Sequence, residues 1–155
     1  AREADAGSAF QWLASNSLKL ATRSGNADLV KALIAVGASL EDGGGELQRP
    51  LEYAVSYNGK ADVVKALIEA GASLETAGGD ELTPLEYAID DGNVDVVKVL
   101  IEAGASLEAA GEDELTPLEY SIHDGNADVI HVLKEADHAR RERALRAIRG
   151  ALGSS

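Results

Sequence analysis

Apolar and polar positions follow a helical period over T-P-L-E-Y-A-I-D-D-G-N-V-D-V-V-K-V-L-I-E-A-G-A-S-L-E, which occupies residues 83–108. In its first half, Leu85 and Ile89 have the spacing of one helix face. In its second half, the apolar pairs of residues 96–101 form a similar stripe. The pattern predicts two short helices joined by a tight turn at Gly92, where a positive φ favours glycine.

Both predicted helices carry start and stop signals. Thr83 is a favourable N-cap, Pro84 suits the first helical position, and Glu86 completes a capping box with Thr83. Asn93 is placed to cap the second helix, and Gly104 is placed to end it. Each half of the unit is therefore predicted to be a complete helix.

The same unit recurs along the chain. Its landmarks are spaced by 33 or 34 residues and are Pro50, Pro84 and Pro117, then Gly37, Gly71 and Gly104, then Gly25, Gly59, Gly92 and Gly125. This period resembles that of the ankyrin repeat, whose T-P-L-H-x-A pattern appears here as T-P-L-E-Y-A and T-P-L-E-Y-S. The resemblance implies an all-α solenoid of stacked helix-turn-helix units with β-hairpin-like connectors and capping helices at both ends.

We divide the chain into a leader and cap, four repeats, and a basic amphipathic helix with its tail. These parts are residues 1–14, repeats at about 15–41, 42–75, 76–108 and 109–137, and residues 138–155. Residues 1–8 are small and polar and are expected to be frayed. Phe10, Trp12 and Leu13 either cover the open face of the first repeat or form a partner-binding patch.

The second repeat departs from the pattern in two ways. Arg49 stands where the later repeats have the capping threonine, and the segment before Gly59 is one residue longer than the segment before Gly92. The extra residue is expected to bulge the end of the first helix and to place Tyr57 and Asn58 on the concave face. The alternative is that the extra residue is an ordinary variation in loop length without a functional role.

The C-terminal segment reverses the charge of the chain. Residues 1–137 carry nine basic and 26 acidic side chains, whereas residues 138–155 carry five basic and one acidic. Its apolar side chains recur at helical spacing and are Ala144, Leu145, Ile148, Ala151 and Leu152. The segment is predicted to be a capping helix with a solvated basic face. Docking to a partner or to a membrane surface is the alternative.

The ankyrin resemblance also implies where a partner would bind, because ankyrin proteins usually use their connector tips and the exposed ends of their inner helices. The expected partner-binding residues are Tyr57, Asn58, Asp80, Leu82, Asp90, Asp91, Glu112, Asp113, Leu115, His123 and Asp124. This surface would be an acidic groove with apolar positions, suited to a basic, partly apolar segment of another protein. The tyrosines at one repeat position, Tyr53, Tyr87 and Tyr120, are instead expected to pack between repeats.

Signals of catalysis and of metal binding are weak. The chain has no phosphate-binding loop, nucleophile elbow or H-E-x-x-H motif, and its three histidines lack a plausible set of metal-ligating neighbours. Two segments that begin at Asp91 and Asp124 match calcium-ligand spacing, but each has valine where a calcium loop needs glycine. We therefore expect no catalytic residues, no metal and no cofactor.

Composition narrows the classes of protein that remain possible. The chain has no cysteine, a net charge of −13 and no apolar run long enough for a membrane span. We expect a soluble, intracellular and monomeric interaction module, in the cytoplasm or an organelle matrix, whose repeats do not bind nucleic acid. One alternative is an engineered repeat scaffold without a natural partner, which would fit the absence of methionine. Another is an adaptor that docks through its basic C-terminal helix, and an enzyme is a remote third.

Overall fold

The computed structural model describes residues 2–41, 49–75, 82–108 and 114–153. Its elements are α1 (Arg2–Ser24), α2 (Ala27–Ala35), α3 (Pro50–Tyr53) with a π-helical turn (Ala54–Asn58), α4 (Ala61–Glu69), α5 (Pro84–Asp90), α6 (Val94–Glu102), α7 (Pro117–Asp124) and α8 (Ala127–Gly153). The expected all-α solenoid is confirmed: the helices pair as α1–α2, α3–α4, α5–α6 and α7–α8, and successive pairs stack. We call α1, α3, α5 and α7 the inner helices and the others the outer helices. Most of each predicted hairpin-like connector lies outside the described residues.

Equivalent positions of successive repeats form the core. The outer helices bury one leucine each at the same repeat position in three repeats, and these are Leu67, Leu100 and Leu133. The inner helices do the same with Leu18, Leu51 and Leu85. Each layer therefore buries its apolar face chiefly against its neighbours, as expected of a solenoid.

The predicted capping boxes are confirmed in the third and fourth repeats. The Glu86 amide donates to Thr83 Oγ1 over 3.3 Å, and the Thr83 amide donates to Glu86 Oε2 over 2.7 Å. In the fourth repeat the Glu119 amide donates to Thr116 Oγ1 over 3.2 Å, and the Thr116 amide donates to Glu119 Oε2 over 2.9 Å. These reciprocal bonds satisfy backbone amides that the first helical turn would leave without partners.

A column of glutamates, one at the end of each G-A-S-L-E segment, links successive repeats through hydrogen bonds. The Ser73 amide donates to Glu41 Oε1 over 3.3 Å, and the Ser106 amide donates to Glu75 Oε1 over 2.8 Å. Each of these glutamates ends a G-A-S-L-E segment and reaches the serine of the next one. The next glutamate in the column, Glu108, has no further G-A-S-L-E segment to reach and is instead bound by an arginine of α8.

The two ends of the chain differ from the sequence-based expectation. Residues 2–8 were expected to be frayed, and this is wrong, because α1 is a continuous helix from Arg2 to Ser24. The aromatic side chains of α1 do not cover the first repeat, because Phe10 is 53% exposed and Trp12 is 64% exposed. Residue 138 lies inside α8, so the basic segment is a direct extension of the last outer helix.

The first part of this extension is anchored on the stack. Arg140 binds Glu108 of the third repeat and Asp137 of its own helix, the latter over 3.0 Å. Arg141 also binds Asp137 over 3.0 Å. From residue 143 onward, however, all side chains that the structure describes are exposed. The extension therefore covers the stack at its start and projects away from it at its end.

Candidate partner-binding surface

The predicted partner-binding residues divide into three groups. Asp80, Glu112 and Asp113 lie outside the described residues, as does the side chain of Asn58. Leu82 and Leu115 precede the capping threonines and are partly buried, and Leu82 packs against the core. The other five are exposed, at or next to the C-terminal ends of three successive inner helices, and are Tyr57, Asp90, Asp91, His123 and Asp124.

The extra residue of the second repeat is accommodated as a π-helical turn. Its closing bond runs from the Gly59 amide to the Ala54 carbonyl oxygen over 3.0 Å. This turn is the bulge that the sequence predicted, and π turns are frequent at functional sites. Tyr57 is 67% exposed, and its ring stacks on that of Tyr53 with the centroids 4.4 Å apart. The buried Tyr53 ring thus supports an exposed aromatic side chain.

The carboxylates at the ends of α5 and α7 are coupled by one hydrogen bond and by their charges. Tyr120 of α7 donates from its hydroxyl to Asp90 Oδ1 of α5 over 2.8 Å. Burial, this hydrogen bond and the negative charge of Asp90 raise the pKa of Tyr120 above its ordinary range, and Asp124 adds to the effect. Burial and the charge of Asp90 also raise the pKa of Asp91. We call Asp90, Asp91 and Asp124 the acidic surface.

The charge at the inner-helix ends changes along the stack. The first repeat ends its inner helix with Arg23 and Ser24, and the second carries Tyr57 at the equivalent place. Acidic side chains occupy this place only in the third and fourth repeats. The acidic surface is therefore confined to one half of the described stack. Arg23 was missed at the sequence level, although its place two residues before Gly25 would have shown it.

One further exposed residue lies near the end of an inner helix. Ile122 precedes His123 on α7 and is 54% exposed. With Tyr57 it is one of two exposed apolar side chains near the inner-helix ends. The tyrosine column was expected to pack between repeats, and Tyr53 and Tyr87 are indeed buried, with 8% and 9% of their surface exposed. Tyr120 is only partly buried.

The capping glutamates serve the helix ends. In the second repeat the Arg49 amide donates to Glu52 Oε2 over 3.1 Å, and the Arg49 guanidinium lies 3.4 Å from Glu52 Oε1 and 3.3 Å from Glu41 Oε2. An ion pair thus stands where the later repeats have a threonine hydroxyl. Burial raises the pKa of Glu52, whereas hydrogen bonds from Thr116 lower the pKa of the exposed Glu119.

The described residues form neither a metal site nor a membrane span. Among the described residues, no three histidine, aspartate or glutamate side chains are grouped so that they could hold a metal ion. Within those same ranges, no helix has both the length and the apolar character needed to cross a bilayer.

Comparison with known proteins identifies the repeats. Residues 51–142, which are more than half of the chain, match the family model described as ankyrin repeats, in three copies. A search of curated proteins gives no match. The matched segment contains the whole acidic surface and Tyr57, and it ends within α8.

Proposed function

Because this chain belongs to the ankyrin-repeat family, whose members generally mediate protein–protein interaction, we propose that it is a non-catalytic module that binds a basic, partly apolar segment of a partner protein. The observation that supports this proposal is the exposure of Asp90, Asp91 and Asp124 at the ends of neighbouring inner helices. The apolar core is formed by other faces of the same helices. Asp90 also accepts the hydrogen bond that Tyr120 donates from the next repeat, whereas the apolar core does not use Asp91 and Asp124.

The charges of the acidic surface favour a cationic ligand. Asp90 and Asp91 are adjacent, and burial together with the negative charge of Asp90 raises the pKa of Asp91, so the two carboxylates repel each other. A lysine or arginine of the partner would relieve this repulsion. Because the carboxylates are exposed, we expect them to act mainly on the association rate and to be screened by salt.

The apolar side chains near the acidic surface would add contact area. Tyr57 is fixed from behind by its stacking on Tyr53, so little conformational entropy is lost when a partner covers it. Ile122 lies on the same helix as Asp124 and is more than half exposed. A partner segment with leucine or aromatic residues between its basic residues would match this combination.

A selection from a random peptide library tests the proposal and does not require the partner to be identified first. The full chain is immobilised, and bound peptides are sequenced after several rounds. We expect enriched peptides to be rich in arginine and lysine with interspersed apolar residues. Their affinity for the variant D90K/D91K/D124K should fall by at least about tenfold, which corresponds to roughly 1.4 kcal/mol, and their salt dependence should weaken.

A matched control places the same three charge changes at exposed positions of three outer helices. In the variant E69K/E102K/E135K the changed side chains are also exposed, and they lie on α4, α6 and α8. This variant should bind the selected peptides nearly as well as the parent, apart from a small effect of net charge. Enrichment of neutral or acidic peptides, or equal loss of affinity in both variants, would contradict the proposal.

One observation favours a second candidate function, an adaptor that docks through α8. Leu145, Ile148 and Leu152 lie on one stripe of the projecting part of α8 and are 44%, 55% and 71% exposed. The arginines of this segment surround the stripe. Peptide selection on the variant L145K/I148K separates the two candidates, because loss of binding there, with the acidic surface intact, would assign the interaction to α8.

A further inference from the structure

The first repeat exposes residues whose counterparts are buried or partly buried in the later repeats. Leu29 of α2 is 44% exposed. Its counterparts, four residues after the landmark glycine of each later repeat, are Val63, Val96 and Val129, all with 0% exposure. Leu20 of α1 is 66% exposed, whereas Tyr87, its counterpart in the third repeat, is 9% exposed.

This exposed face corresponds to the surface through which each later repeat contacts the repeat before it. The tyrosine position faces the preceding repeat, since the Tyr120 hydroxyl reaches back from α7 to Asp90 of α5. Leu20 occupies that position in the first repeat, and the preceding residues, which continue α1 back to Arg2, leave it exposed. The face formed by Leu20 and Leu29 is therefore built like the surfaces on which repeats stack, and it is apolar for the same reason.

The exposed side of α1 also carries a regular stripe. Positions 10, 13, 17, 20 and 24 alternate in steps of three and four, which is the heptad spacing of paired helices. They are Phe10, Leu13, Ser17, Leu20 and Ser24, and none of them is charged. Phe10, Leu13 and Leu20 are 53%, 59% and 66% exposed. A helix that displays this stripe to water is suited to pair with another helix.

The distribution of charge selects the kind of partner. Residues 1–41 contain four basic and four acidic side chains and are neutral overall. Residues 42–137 contain five basic and 22 acidic side chains. Two copies of the chain would repel each other if their acidic parts met, but they can approach through the neutral first repeat without this cost. The apolar stripe thus lies on the part of the repeat body that a second copy can reach most easily.

We propose that this face binds a second copy of the chain, with the two α1 helices antiparallel. In an antiparallel pair centred near residue 15, Phe10 of each copy lies opposite Leu20 of the other, and Leu13 lies opposite the small Ser17. The pattern is therefore self-complementary, as an isologous two-fold interface requires. The stripe covers about four turns of one helix, and interfaces well below about 1,200 Å² are typical of transient complexes, so we expect a weak dimer that depends on concentration. The sequence alone had led us to expect a monomer.

Sedimentation equilibrium of the full chain over a range of concentrations tests the proposal. The parent should show a reversible monomer–dimer equilibrium. The variant L13K/L20K should raise the dimer dissociation constant by at least about tenfold. Both leucines are more than half exposed, so the fold should be retained, which circular dichroism would verify. The matched control L145K/I148K changes two exposed apolar residues of α8 and should dimerise like the parent.

Cross-linking tests the orientation and does not depend on the lysine variants. The chain has no cysteine, so Leu13→Cys and Ser17→Cys can be made separately and treated with a short bismaleimide. The antiparallel arrangement predicts that a mixture of the two variants cross-links faster than either variant alone. A parent chain that stays monomeric up to about 1 mM, the range of the weakest specific contacts, would overturn the proposal. Dimerisation lost only in L145K/I148K, or faster cross-linking of the single variants, would do so as well.

Discussion

Asn93 caps α6 and also donates from its Nδ2 to the carbonyl oxygen of Gly59 in the preceding repeat, over 2.8 Å. Gly59 has a φ of 55°, and a Cβ atom there would collide with the Asn93 amide group. Asn126 lies against Gly92 in the same manner. The glycine that ends an inner helix is thus required both by its own backbone and by the side chain of the next repeat.

The first prediction separates the two roles of Asn93. Asn93→Ala removes the cap of α6 and the bond to Gly59, whereas Asn26→Ala removes only a cap, since Asn26 accepts from the Leu29 amide in the first repeat. We expect Asn26→Ala to cost about 1 kcal/mol. Asn93→Ala should cost roughly 0.5–1.5 kcal/mol more, the net value of a typical hydrogen bond. Urea denaturation of both variants measures the difference, and equal costs would mean that the bond between repeats contributes nothing.

The second prediction concerns the core. Leu100 of α6 has 0% exposure and is one of the repeated leucines of the outer helices. Leu100→Ala should lower the free energy of unfolding by about 2–5 kcal/mol, because it leaves a cavity between layers. Leu152→Ala is the control, since this side chain is 71% exposed and should change stability by no more than about 0.5 kcal/mol. A denaturant midpoint for Leu100→Ala equal to that of the parent would contradict the burial.

The parts of the fold that could be predicted from sequence are those with local causes. A threonine, a proline and a glutamate at fixed spacing specify a helix start without reference to the rest of the chain, so the boxes at Thr83 and Thr116 were predicted correctly. The burial of Leu100 followed from helical periodicity combined with the repeat. The extra residue near Tyr57 was also recognised, because it breaks an otherwise constant spacing.

Other features depend on which residues meet in three dimensions. No local signal shows that Arg140 would replace a serine amide as the partner of Glu108, since the two are 32 residues apart. In the second repeat Lys60 stands where the other repeats have asparagine, and its side chain lies over Gly25 of the preceding repeat. The exposure of Phe10 and Leu13 likewise could not be derived from periodicity, which places apolar residues on one face but does not say what covers that face.

The third prediction tests whether α8 caps the stack. Arg140 contacts Glu108 and Asp137, whereas the side chains from residue 143 to residue 153 are exposed. Deleting residues 143–155 should therefore leave the hydrogen-exchange protection of residues 129–133 nearly unchanged. Deleting residues 139–155 removes Arg140 as well and should lower that protection, because the last repeat then loses the ion pair between Arg140 and Glu108 of the third repeat. Equal protection in both truncated chains would show that Arg140 does not stabilise the last repeat.

The fourth prediction uses two glutamates at the same repeat position whose pKa values shift in opposite directions. Burial raises the pKa of Glu52 above its ordinary value of 4.5, although the Arg49 amide and guanidinium oppose this effect. The folded state then binds a proton at Glu52 more tightly than the unfolded state does. The contribution of Glu52 to stability is therefore present below pH 4.5 and is lost as the pH rises through the folded pKa.

Glu119 shows the reverse behaviour. Hydrogen bonds from the amide and the hydroxyl of Thr116 lower its pKa below 4.5, so its contribution is present above that value and is lost as the pH falls through the folded pKa. The free energy of unfolding should be measured against pH for the parent, for Glu52→Gln and for Glu119→Gln. Relative to the parent, Glu52→Gln should become more stable as the pH rises above 4.5, because the variant has no buried charge to desolvate. Glu119→Gln should become less stable, relative to the parent, as the pH rises towards 4.5. Parallel curves for the two variants would mean that their different surroundings do not control the titration of these glutamates.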